Sequence, residues 1–146
     1  MKKYIWFLII MLNTTVLANS LDFEIPSACE INFKQANRAV NDGGKVIQNN
    51  FNVYTKELQS MYKGGEPNQE TCDKYLQITD SIQLIKFHFY TSMNYLNSAL
   101  QTGCSDNEMT AKISGSLNYM NNEVSKISNV EAKYILNFAS YCVRLE

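Results

Sequence analysis

Nucleophilic or metal chemistry in this chain would have to start from one histidine, His88, and four cysteines, Cys29, Cys72, Cys104 and Cys142. A Ser-His-Asp or Cys-His arrangement would need His88, which sits in the run Leu84-Ile85-Lys86-Phe87-His88-Phe89-Tyr90. A histidine at helical spacing among aromatics is expected to pack, and no G-x-S-x-G elbow supplies a serine for it. Zinc is not expected either, because no C-x-x-C pair occurs and His88 is remote in sequence from every cysteine. Glu66, Glu70 and Asp73 gather where a helix should begin, and the helix dipole accounts for them better than a glycosidase pair or a calcium site. Gly43-Gly44 and Gly64-Gly65 lack the lysine and the preceding strand of a phosphate loop. The expectation is a chain with no catalytic residue, no metal and no cofactor.

What remains is a scaffold, and its first segment sets the compartment. Lys2 and Lys3 precede the apolar run Tyr4–Leu12, and Val16-Leu17-Ala18 offers the small residues that signal peptidase requires. A spanning helix needs about 20 apolar residues, more than this run supplies, so residues 1–18 read as a cleaved signal peptide. Asn19 follows the cleavage motif, so lipoprotein processing is not indicated. Residues 19–26 read as an extended leader and 27–146 as a single helical domain. No later stretch is apolar enough to insert stably in a membrane after cleavage. The formal charge is −1 before the two signal lysines are removed, which argues against a nucleic-acid or anionic-membrane partner. The sequon at Asn13 lies in the signal and none follows it. Together with the short Lys-Lys start, this leans towards a bacterial source, periplasmic or extracellular.

Three stretches each hold one helical phase. Pro26 precedes Ser27-Ala28-Cys29-Glu30, the pattern of a capping box. Apolar or small residues then recur at steps of three and four through Ala36, Val40, Gly43, Ile47, Phe51, Tyr54 and Leu58. Gly43-Gly44 should weaken a helix by about 1 kcal/mol each. The phase nevertheless runs through them unbroken, so one long helix over roughly 28–62 is expected, its glycines facing inward or forming a kink. Gly64-Gly65 closes it. Pro67 suits the first position of the second helix, whose stripe runs Tyr75, Ile78, Ile82, Ile85, Phe89, Met93, Leu96 and ends at Gly103. A second capping box, Ser105-Asp106-Asn107-Glu108, opens the third helix, which carries its stripe past Ser128-Asn129 to Leu145. The fold expected is all-α: an elongated antiparallel up-down-up three-helix bundle. It becomes four or five segments if helices break near Gly43-Gly44 or Asn129.

The cysteines select among topologies. An exported chain with four cysteines is expected to form two disulfides. Laid up, down and up, each helix is about 50 Å long, whereas a disulfide needs Cα atoms within about 7 Å. Cys29 and Cys104 share one end of such a bundle, and Cys72 and Cys142 share the other. The expected pairs are therefore Cys29–Cys104 and Cys72–Cys142, each closing a loop of about 70 residues and contributing about 4 kcal/mol if chain entropy dominates.

Beyond the core stripe, the second helix adds Leu84, Phe87, Tyr90 and Tyr95, with His88 among them. A helix between two neighbours needs a broad apolar face, so burial is one account of these residues. The other is an aromatic surface for a protein partner, with Tyr62 and Tyr119 as further contributors. The functional expectation is an exported, non-enzymatic protein-binding domain. An inhibitor or immunity protein occluding a toxin or hydrolase, itself another exported protein, would have this form. A carrier holding a small apolar ligand between its helices is the alternative, and a secreted effector a further one. Long amphipathic helices also allow a homodimer.

Overall fold

The computed structural model describes residues 27–61, 68–102, 104 and 107–142. The signal-peptide and leader segments, Tyr62, Gly64-Gly65, Glu66, Pro67, Gly103, Ser105-Asp106 and Leu145 lie outside them, as do the side chain of Ser27 and its capping role. Among the described residues the chain is all-helical and carries two disulfides. Two disulfides point to an oxidising, exported environment. No described helix is long and apolar enough to cross a membrane.

Helix α1, Ser27–Val46, runs without interruption into a π-helical segment, Ile47–Phe51, and then into α2, Asn52–Met61. The three together form one rod. Gly43-Gly44 does not break it. The change of winding falls beyond the glycines, where the Asn52 N–H donates to the Ile47 carbonyl across five residues. Spacing explains the position. Ala39, Gly43, Ile47 and Phe51 are all buried, and three successive four-residue steps outrun the 3.6-residue turn of an α-helix. A wider π turn keeps Ile47 and Phe51 on the covered side.

Helix α3 is Gln69–Gln101 and α4 is Asn107–Tyr141. Asn68, not Pro67, sits at the entry to α3. Its side-chain oxygen accepts from the Thr71 N–H, and the Thr71 hydroxyl accepts from the Asn68 N–H. Pro67 therefore precedes the cap instead of opening the helix. Glu30 and Glu108, in the first turns of α1 and α4, pair with lysines one turn on, Lys34 and Lys112. Helix α4 passes through Ser128-Asn129 without a break.

Contacts between the first rod and α3 descend one as they ascend the other: Asn32 with Thr102, Gly43 with His88 and Phe89, Glu57 with Lys74. Small residues permit the approach. Ala36, Ala39 and Gly43 of the first rod and Ser92 and Ala99 of α3 are all buried, and Ala36 packs in one cluster with Ala99. The Ser92 hydroxyl is fully buried with no hydrogen-bond partner, which marks how tightly this seam is shut. A Cβ on Gly43 would stand 3.2 Å from both His88 Cβ and Phe89 Cε1, whereas one on Gly44 would meet nothing within 4 Å.

Helix α4 attaches to α3 through a buried polar latch. The Glu131 carboxylate, almost wholly covered, accepts from Lys86 Nζ at 2.8 Å and from the Gln83 amide. Tyr134 of α4 lies edge-on to Phe51 of the π segment, ring centroids 6.2 Å apart, and to Tyr75 of α3 at 6.1 Å. One tyrosine thus joins all three rods. Burial raises its phenol pKa, and the neighbouring Thr55 hydroxyl works in the opposite direction.

The apolar core falls into two clusters. The larger is built on Ile78, Ile82, Ile85 and Phe89, and the smaller on Leu96, Ala99 and Ile113. Each contains one disulfide. Cys72–Cys142 closes the first and Cys29–Cys104 the second, with Cα separations of 5.7 and 5.5 Å.

Two outcomes are expected in chemical denaturation. Gly44→Ala should raise stability by about 1 kcal/mol, the helix-propensity difference, while Gly43→Ala should show no gain because the new methyl presses on His88 and Phe89. Equal gains would mean that the helices do not meet at Gly43. Because the folded-state pKa of Tyr134 is raised, its contribution is complete below the ordinary value of about 10 and is lost as pH rises through the folded value. Between about pH 8 and about pH 11, the wild type should lose more stability than Tyr134→Phe. Parallel pH curves would contradict the burial of that ring.

Candidate partner-binding face

Helix α3 is covered on two sides and open on the third. Its side towards the first rod carries Lys74 and His88, which meet Glu57 and Gly43. The side towards α4 carries Lys86 and Tyr75, whose partners are Glu131 and Tyr134. Along the line Leu76, Asp80, Gln83, Phe87, Tyr90 and Asn94 every residue is exposed, and all but Gln83, whose amide reaches Glu131 of α4, point away from both. Steps of four and three keep these residues on one line along the helix.

Apolar side chains stand on that line without cover. Phe87 is 61% exposed, Tyr90 48%, Leu76 48% and the flanking Leu84 43%. Two residues on, Phe89 is 6% exposed and packed in the core, so the Phe-His-Phe run turns one ring out and one in. Phe87 rests edge-on against the His88 imidazole, centroids 5.6 Å apart, while the base of His88 is fixed beside Gly43. This contact gives the exposed ring a partly buried neighbour on one side. An aromatic ring flanked this way loses little conformational freedom when a partner covers it.

Of the residues singled out from sequence, the structure brings Leu84, Phe87 and Tyr90 together on this face. His88 lies behind it. Tyr95 does not join them, because it is half-buried against the smaller core cluster near Cys29 and Cys104. Tyr119 of α4 is exposed at 43% but belongs to another surface. Burial first, and the Glu123 carboxylate second, raise its phenol pKa.

Sequence reasoning missed Leu76. The available signal was its position next to Tyr75, which takes it out of the core stripe, and its spacing of eleven residues from Phe87, close to three helical turns. It also missed Ile135 and Leu136 of α4, both exposed. Ile135 lies one turn beyond Glu131 on the same side of α4, so it extends the apolar surface near the Gln83 end of the latch.

Charge on the face is one-sided. Glu70, Asp73 and Asp80 are exposed, while both lysines of α3 are drawn away from it. Lys74 Nζ bonds Glu57 at 2.6 Å and lies over the Tyr54 ring at 4.9 Å, and Lys86 is held by Glu131. Neither lysine is free to neutralise the acids. All four cysteines are tied in disulfides and buried. Among the described residues no cluster of His, Cys, Asp or Glu could hold a metal ion.

No protein family, curated protein or solved structure matches this chain.

If Phe87 and Tyr90 stand in water, replacing both with serine should leave the unfolding free energy nearly unchanged, each substitution within about 0.5 kcal/mol. Phe89→Ala, one position away, should cost about 3–4 kcal/mol by opening a core cavity. A large loss from the serine pair would show that something in the folded chain covers the face.

Proposed function

We propose that this chain is an exported, non-enzymatic protein-binding domain, an inhibitor or immunity protein that occludes a partner toxin or hydrolase. Its mature form begins after Ala18 and works in the periplasm or outside a bacterial cell. Its helices stand up, down and up in an elongated bundle. The carrying observation is the row Leu76, Leu84, Phe87 and Tyr90, exposed on one face of the helix that both disulfides anchor.

A row of this kind is costly to leave in water. Fully burying a large apolar side chain contributes about 1.5–3 kcal/mol, and roughly half of each of these four is still open, so together they supply part of what a partner must gain to offset the cost of association. Rigidity adds to this. Side chains on a continuous helix, clamped at both of its ends, have little to lose on docking, and Tyr and Phe are residue types that dominate contact energy in protein interfaces. Occlusion then needs only that the rod be wider than the cleft it covers.

The test uses the mature oxidised protein and its Phe87→Ser/Tyr90→Ser double variant, each immobilised and exposed to envelope extract from the source organism. Bound proteins are identified by mass spectrometry. Wild type should retain at least one protein that the variant releases, and soluble wild type should lower that protein's activity. Identical sets on both columns, or no bound protein at all, would contradict the proposal.

A further inference from the structure

The outward face of α3 has a repeat as well as a composition. Asp73, Leu76, Asp80, Gln83, Phe87, Tyr90 and Asn94 follow one another at steps of 3, 4, 3, 4, 3 and 4, and all are exposed. Any line along an α-helix has these steps; what marks this one is that Leu76, Phe87 and Tyr90 stand on it uncovered, with Asp73 and Asp80 beside them. From Leu76 to Tyr90 the seam extends about 21 Å, or four helical turns of an incoming partner. Its apolar residues would fill the partner's inward positions.

The acids specify what flanks those positions. Asp73 and Asp80 border Leu76 on the seam, with no cation of this helix available to meet them, since Lys74 and Lys86 are committed to Glu57 and Glu131. Gln69 donates to Asp73 at 3.0 Å, a contact that leaves its charge in place. Two copies meeting seam to seam would set these acids against each other. Anionic lipid would be repelled.

From this juxtaposition we infer that the α3 face docks a cationic amphipathic helix of another protein, with apolar residues against Leu76, Leu84, Phe87 and Tyr90 and Lys or Arg beside Asp73 and Asp80. The inference rests on the protein-binding reading above and names the chemistry of the segment bound. Phe87 and Tyr90 supply the contact area, and the two aspartates set orientation and exclude acidic competitors.

The probes are two fluorescein-labelled peptides of about 18 residues, long enough to hold a helix. Both carry leucines at i, i+3, i+4 and i+7; one has lysines elsewhere and the other glutamates. Fluorescence anisotropy with the oxidised protein should show saturable binding of the lysine peptide, weakened by salt, and binding of the glutamate peptide at least about tenfold weaker. Asp73→Asn/Asp80→Asn should lower affinity for the lysine peptide about fivefold to tenfold. Glu30→Gln/Glu108→Gln removes the same charge from α1 and α4 and should leave it unchanged.

Equal affinity for the two peptides would overturn the inference, and so would equal effects of the two double variants. So would self-association of the wild type that Phe87→Ser/Tyr90→Ser abolishes in sedimentation, since a second copy would then be the occupant. If the capture experiment depends on Phe87 and Tyr90 while the peptides show no charge preference, protein binding stands and the cationic helix falls. Should capture fail as well, both fall.

Discussion

Each disulfide ties down one end of the same helix. Cys72 lies in the first turn of α3 and Cys104 just beyond its end, so the two ends of one rod about 50 Å long are covalently tied to different neighbours. Cys104 holds the start of the first rod, and Cys72 holds the end of the third. The loops enclosed span 75 and 70 residues, so each bond removes a large share of unfolded-chain freedom, about 4 kcal/mol in the chain-entropy account. Helix ends are where fraying starts, and here the ends of α3 are where the cross-links sit.

With its ends fixed, α3 can use its flanks differently. Towards the first rod it presents His88 and Phe89 to Gly43 and packs Ala99 with Ala36, close enough that an added methyl at Gly43 would press on both side chains. Towards α4 the contact is longer in reach and partly ionic, made by Lys86 and Gln83 on Glu131 and by Tyr75 on Tyr134. A buried ion pair does less for stability than for register, because a slipped helix would strand the charge. These two flanks use up the lysines as well as the core residues of α3. The third flank is left with acids, amides and unburied apolar side chains.

Much of this was legible in the sequence. Stripe phase located the helices, and reasoning from helix ends to cysteine pairs leads to the same two bonds that the structure contains. Gly43-Gly44 was legible as continuous helix but not as asymmetric, since which glycine touches α3 depends on a partner helix that periodicity does not contain. The π segment left a trace in the run of four-residue steps at Ala39, Gly43, Ile47 and Phe51, which a count of threes and fours averages away. Pro67 and Asn68 both suit a helix start, and only the hydrogen bonds with Thr71 decide between them. On the outward face the limit is physical: a broad apolar stripe fits burial between two neighbours as well as exposure to a partner. Tyr95 is half-buried because it lies two turns beyond His88, on the side of α3 that meets the first rod, whereas Leu76 lies three turns before Phe87 on the open side.

The account stands on α3 being the shared anchor of both cross-links, and non-reducing proteolysis of the exported protein followed by mass spectrometry tests that most directly. Peptides containing Cys29 and Cys104 should appear joined, as should those containing Cys72 and Cys142, with no free thiol. Cys29 joined to Cys72, or thiols open to alkylation in the native protein, would contradict it.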